Sequence, residues 1–358
     1  MPPRRPCPAL AAALAGGALV LALPGPAAAA PACAPQLGPA GAYTEFVEDD
    51  SVRRGGSQGA VAVGGDADFT GGLSVAAHPA PFDALPEHAT LVVGGTLRNG
   101  AAGSSAFTVL ERGTAVYGGL EGRPPVLKSG REATRGGPPP VDFAREFARL
   151  RGLSERLEAL PARGSVTRTT VDGRATVRLV GHDPALNVFP VSATQLADAR
   201  RVVLTVPDGA TAVVNVSGSV YGTDDHGPVT VTGPEGLAGK LLWNFPDAAS
   251  VAKHDAANWR GTVLAPNAAV DLGSAGHLTG NVIAASLTAD GAETRLAPFT
   301  GCLDTPLAPP SPAGPRPPGG EDLAHTGGSH QQVRALLFAA FGALTAGAAA
   351  LWATRRRT

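Results

Sequence analysis

Lysine is nearly missing from this chain: Lys128, Lys240 and Lys253 are its whole complement. With 47 glycines and 33 prolines, that scarcity points to a high-GC genome before it points to a function. Cysteine is scarce too, at Cys7, Cys33 and Cys302, so the exported part can hold at most one intrachain bridge. Aromatic residues make up 5%, and Trp243, Phe245 and Trp259 form their only notable group. No His-Glu-x-x-His motif and no paired-carboxylate signature is present. An excess of positive charge is also lacking. Removing the six arginines that lie outside the exported region leaves 23 basic residues against 30 acidic ones, a balance of −7. That balance excludes a nucleic-acid binder or an anionic-membrane binder as the default reading.

The two ends are not part of the fold. Arg4 and Arg5 are followed by an apolar run, Ala9 to Leu23, and by the small residues Ala27 to Ala30. That is the layout of a secretory signal peptide over 1–30, and its apolar run is short for a bilayer span. Pro6 and Cys7 make a poor twin-arginine signal, and Ala30 stands where a lipobox wants leucine. Export by the general route therefore removes Cys7 and leaves Cys33 and Cys302 in an oxidising compartment. They are expected to form a disulfide, with two free thiols as the alternative. The bridge would close a loop of roughly 270 residues, worth on the order of 5 kcal/mol by chain entropy as an upper figure.

At the other end, Ala335 to Thr354 is twenty residues without a charge, followed by Arg355, Arg356 and Arg357. The length fits a transmembrane helix with its basic flank in the cytoplasm. Residues 303–322 hold seven prolines in twenty residues and read as an extended spacer of up to about 60 Å. Between spacer and span stand Leu323, Ala324, His325, Thr326 and Gly327. This pentapeptide, with span and basic tail behind it, resembles an LAXTG-type sortase sorting signal of high-GC Gram-positive bacteria. The resemblance implies attack of a sortase cysteine on the Thr326 carbonyl, loss of Gly327 onward, and transfer to a peptidoglycan amine. Sortase and peptidoglycan are thus the expected partners, and membrane insertion is transient. The expected location is the cell wall.

Residues 33–302 read as one mainly β domain. Gly59 to Phe69, Ala89 to Gly100 and Gly113 to Gly122 are short β-prone runs that each meet a glycine pair, at Gly64, Gly94 and Gly118. These recur at 30 and then 24 residues, and further runs follow from Arg200 onward. One strand-and-turn unit repeated at this spacing predicts a β-solenoid, with a β-sandwich as the alternative. A single helix is predicted over 141–160. Phe143, Phe147, Leu150, Leu153, Leu157 and Leu160 form one stripe, Asp142 is a candidate N-cap and Pro161 ends it. The stripe is expected to pack on the flank of the strands.

Several of these stretches resemble the choice-of-anchor A domain of bacterial surface proteins. The residues that carry it are "VAVGGDADF", "LLWNFPDA" from Leu241 to Ala248, "GTVLAPNAAVDL" with "GNVIAASL", and "PFTG" from Pro298 to Gly301. The resemblance covers roughly Gly41 to Gly301 and implies an extracellular domain with variable attachment and no catalytic residues. In architecture it also looks like the ice-binding β-solenoids with a helix alongside.

Local candidates for chemistry are few. "GGSQG" around Ser57 has the nucleophile-elbow pattern, but a strand follows where the elbow needs a helix. "GPEGLAGK", Gly233 to Lys240, breaks the phosphate-loop pattern and reads as a turn. Asp224, Asp225 and His226 are weak candidates for a divalent ion, since three adjacent residues cannot fill a coordination shell. Trp243 and Trp259 are candidates either for surface binding of a sugar or polymer or, more simply, for core filling. Asn215 opens the sequon "NVS" inside a predicted strand. The expectation is a non-catalytic surface protein without cofactor, for adhesion, binding or envelope structure, with an unidentified extracellular ligand. A polysaccharide-active solenoid enzyme and a carbohydrate- or ice-binding module are the alternatives.

Overall fold

The computed structural model describes residues 33, 36–76, 82–171, 174–197, 199–222, 230–253 and 258–303. The signal peptide, the spacer, the sorting motif and the span 335–354 lie outside them. Among the described residues no helix is long and apolar enough to cross a membrane.

Each run forms a strand; Ala60–Val63 ends at its glycine pair, while Ala89–Asn99 and Thr114–Glu121 run on through theirs, and the pairs explain how the runs stack. A Cβ on Gly94 would collide with the Gly64 carbonyl oxygen, and one on Gly118 with the Gly94 carbonyl oxygen. The three pairs lie above one another at a single corner, where close backbone approach leaves no room for a side chain. The periodicity in the sequence is the rung repeat of a parallel β-solenoid.

Ten strands build one side of it, all paired in parallel. Their spatial order is Thr134–Gly136, Thr114–Glu121, Ala89–Asn99, Ala60–Val63, Tyr43–Val47, Val282–Asp290, Thr262–Asp271, Leu241–Asn244, Thr211–Ser217 and Leu186–Ser192. A sandwich is made of antiparallel sheets, so the sandwich alternative is overturned. The order is not that of the chain. Tyr43–Val47 sits in mid-stack, with Phe46 beside Ala62 on one neighbour and beside Ile283 on the other. The N-terminal half climbs away from this seam to residue 136. The C-terminal half enters at the opposite end with Leu186–Ser192 and returns to the seam.

Two devices hold the seam. Cys33 and Cys302 form a disulfide with Cα atoms 5.6 Å apart across 269 residues of sequence, so the free-thiol alternative falls. Inside the rung, Arg53 donates to both carboxylate oxygens of Glu45, at 2.9 and 2.7 Å. Arg53 also donates to the Ala292 carbonyl at 3.1 Å, and the Thr294 hydroxyl donates to Glu45 at 2.6 Å. Both side chains of the pair are fully buried. A buried charge tolerates such a site only when paired and hydrogen-bonded, and here residues of both halves supply the partners.

The chain crosses between the halves through helix α1, Phe143–Glu158. Asp142 caps it, accepting from the Arg145 backbone N–H at 3.1 Å. Its apolar stripe covers the outer surface of the ten-strand side, against Phe46, Leu242, Leu264 and Ile283. Polar links follow the stripe down the stack. Arg151 donates to Asn267 at 2.8 Å, Asn244 donates to the Ser154 carbonyl at 2.9 Å, and Asn215 donates to the Leu157 carbonyl at 2.7 Å. Three helix residues rise about 4.5 Å, close to the strand spacing of about 4.8 Å, so successive turns meet successive rungs.

Candidate functional site

With the ten-strand side covered by α1, the second and third sides expose outward side chains to solvent among the described residues. On the second side, strands Ser51–Ser57, Ala67–Phe69 and the later parts of Ala89–Asn99, Thr114–Glu121, Thr262–Asp271 and Val282–Asp290 lie in parallel register. Alternation sends Phe69, Leu97, Val270 and Leu287 inward. The outward residues form a column across the rungs: Glu121, Arg98, Asp68, Val52, Thr288 and Asp271.

One end of this column is a charge network. Arg98 bonds Asp66 at 2.9 Å and Glu121 at 3.2 Å. The Thr96 backbone N–H donates to Asp66 at 2.8 Å, and this bond, with Arg98, holds the Asp66 carboxyl below the usual range. Asp68 is lowered as well, chiefly by the Thr70 hydroxyl, which donates at 2.7 Å, and by the Thr70 N–H. A shallow depression opens beside it, lined by Val52, Arg54, Asp68, Thr70, Asp271 and Asp290. Arg54 pairs with Asp290, and Asp271 accepts the Gly273 N–H at 2.8 Å. What the arrangement can do is hydrogen-bond and ion-pair with a ligand laid across the rungs, around the exposed Val52.

On the third side, strands Asn258–Arg260, His277–Thr279 and Glu293–Arg295 turn Asn258, Arg260, His277, Thr279, Glu293 and Arg295 outward. His277 is held below the usual imidazole range by partial burial first and then by Arg295, against the opposing pull of Glu293.

The candidates named from sequence fall as follows. Trp243 and Trp259 do not reach the surface: they are 2% and 6% exposed. Their rings meet edge-on at 5.7 Å, and the Trp243 indole N–H donates to the Arg260 carbonyl at 2.8 Å. The surface-binding reading gives way to core filling, because inward strand positions carry both rings. Ser57 is buried, donates to the Gly59 carbonyl at 3.1 Å and precedes a strand, Ala60–Val63, so it is no elbow. Asn215 is spent on α1. Asp224, Asp225 and His226 lie outside the described residues, as do Leu323, Ala324, His325, Thr326 and Gly327. Among the described residues no group of three or more His, Cys, Asp or Glu is placed to hold a metal. Sequence reasoning missed the Glu45–Arg53 pair. Its signal was present in "SVRRGGS": if Val52 and Arg54 face out, Arg53 must face in.

No characterised protein in a curated set matches the chain. Among solved structures, an ice-binding protein from an Antarctic Flavobacteriaceae bacterium shares 14% identity at a TM-score of 0.31, over 76% of this chain and 49% of that one. A glycosylated ice-binding protein from an Arctic yeast shares 13% at 0.33, over 75% and 96%. One from the Antarctic ascomycete Antarctomyces psychrotrophicus shares 15% at 0.28, over 72% and 96%. This chain thus spans about half the length of the first. The family described as "Putative Ice-binding-like adhesive domain" matches residues 36–296. That match takes in the whole solenoid with its helix, and the chain belongs to this ice-binding-like adhesive domain family.

Proposed function

We propose that the protein is a non-catalytic adhesive module, displayed outside the cell, that holds an extended ligand along an open side of its solenoid. The observation that carries this reading is the outward column of the second side. Its side chains repeat at rung spacing on a core fixed from behind by α1, which is what an extended, repeating partner requires of a rigid surface. The readings from the ends complete the proposal. A signal peptide exports the chain, and a sorting signal of LAXTG type has Thr326 joined to peptidoglycan after the span 335–354 has held it at the membrane. The choice-of-anchor A resemblance agrees with such attachment.

Two measurements test the two parts. Fractionation of the native host with and without its sortase tests anchoring: release only by a wall-digesting enzyme, and its loss in Thr326→Ala, supports it. Extraction by detergent alone overturns it. Binding of the full chain to arrays of host and bacterial glycans tests adhesion, and absence of any surface ligand overturns that part.

A second reading, adsorption to ice, is favoured by the family's description. Against it, the second side carries Glu121, Arg98, Asp68, Asp271 and Asp290, charges whose own hydration an ice lattice would have to displace. An ice-recrystallisation assay separates the two, with inhibition at micromolar protein supporting ice.

A further inference from the structure

The third side continues past Asn258–Arg260 into a separate four-stranded sheet made of Thr230–Thr232, Ala199–Thr205, Arg174–Val180 and Ser165–Val171. The first three pair in parallel, and Ser165–Val171 closes the edge in antiparallel register. These four strands contain five arginines, seven threonines and no carboxylate. In a domain with a negative balance, that composition is out of character.

Alternation divides the sheet cleanly. Val177, Leu179, Val202, Leu204 and Val231 are buried in the interior. Arg178, Arg201, Thr230 and Thr232 therefore face solvent, with Arg178 level with Val203 and Arg201 level with Thr230. Arg178 and Arg201 stand on adjacent strands two residues out of step, about 8 Å apart between Cα atoms from strand geometry. Neither has an ion-pair or hydrogen-bond partner among the described residues. Arg260 follows on the next strand, and Arg295 two strands further.

Protection of a sheet edge would place charge on the edge strand. Arg178 and Arg201 lie on inner strands, where that need does not arise. Guanidinium forks match carboxylate and sulfate oxygens two at a time, and threonine hydroxyls both donate to and accept from sugar hydroxyls. No aromatic residue occurs in the four strands to stack a nucleobase. Among the described residues they also offer no exposed large apolar side chain to enter a lipid surface.

We propose that this Arg/Thr sheet is a docking surface for an anionic polysaccharide, a uronate- or sulfate-bearing chain held by Arg178 and Arg201 and by the flanking threonines. The proposal rests on the reading that the protein is an adhesive module, and adds to the second-side column a separate surface with a ligand of stated chemical class.

Titration calorimetry of the full chain tests it, with polygalacturonate and dextran sulfate as probes, neutral dextran as control and duplex DNA as counter-probe. Binding of either acidic glycan, weakened by about tenfold or more in Arg178→Ala/Arg201→Ala, is the expected result, since each charge-assisted contact is worth on the order of a factor of ten. Arg145→Ala, on the exposed face of α1, is expected to bind within about twofold of the parent. Unchanged thermal melting of the double variant excludes a folding defect, because both side chains are exposed. Three outcomes overturn the proposal: equal affinity of the double variant and the parent, tighter binding to DNA than to either acidic glycan, or no preference over neutral dextran. Binding of a neutral glycan alone would refute this surface and leave the adhesive reading standing. Failure with every surface ligand would refute both.

Discussion

Phe46, Leu242, Leu264 and Ile283 lie under α1, while Val47, Leu241, Val263 and Val282 on the same strands fill the interior. One side of the solenoid is therefore apolar on both faces of its strands. On the second side, Leu97, Val270 and Leu287 still point inward, but their neighbours Arg98, Asp271 and Thr288 meet water. The rungs are the same; the cover differs. Strands buried on both faces read as continuous apolar runs, and half-buried strands alternate. The covered side carries stability, and the open sides are free to vary in chemistry.

That contrast can be broken most strongly at the helix. Phe147, fully buried and stacked on Phe46 at 5.4 Å, is expected to cost about 3–5 kcal/mol when changed to Ala. Denaturant unfolding of Phe147→Ala measures it, and a loss below about 1 kcal/mol would make the helix a bystander. Next comes Asn244→Ala. Asn244 bonds Ser154 twice and Asn215 once, and its removal leaves the Ser154 carbonyl and the Asn215 side chain buried without it. The expected cost is about 1–3 kcal/mol in the same assay.

The open side should instead respond to acid. Asp66 and Asp68 have folded-state carboxyl values lowered by their hydrogen bonds. Their stabilisation is present above the ordinary aspartate value of about 3.9 and is lost as pH falls through the lowered folded values. Melting temperature followed from pH 6 to 2 should therefore fall less steeply in Asp66→Asn than in the parent. Equal slopes would remove Asp66 from the acid response. The smallest effect is expected from Thr288→Ala, exposed in the outward column, at within about 0.5 kcal/mol. A larger loss would mean that the open column is structural after all.

Much of the fold was legible. The stripe from Phe143 to Leu160 and the Asp142 cap predicted a helix over 141–160, and α1 is Phe143–Glu158, two residues shorter at each end. The spacing of Gly64, Gly94 and Gly118 announced rungs because each turn needs the same missing side chain at the same corner. The aromatic group was ambiguous, since a period of two does not say which of its two faces is covered; Trp243 and Trp259 turned out to face inward. Asn215 looked like a sequon and is a tether to Leu157. The Arg/Thr sheet passed unnoticed because its arginines are far apart in sequence and become neighbours only in parallel register.

The sequence by itself determined the local pieces: one amphipathic helix, short strands marked by glycine pairs, and two cysteines at the limits of the domain. Those features depend on a few adjacent residues and on backbone sterics. Tertiary structure alone decided the order of the rungs. Tyr43–Val47 became an inner strand because residues from the far end of the chain, Val282 to Ala284, supply its second row of hydrogen-bonding partners. It also decided that Glu45 and Arg53 are buried together and that Arg178 and Arg201 stand on one open surface. Pairing across such distances is set by packing and register, and no local pattern encodes it.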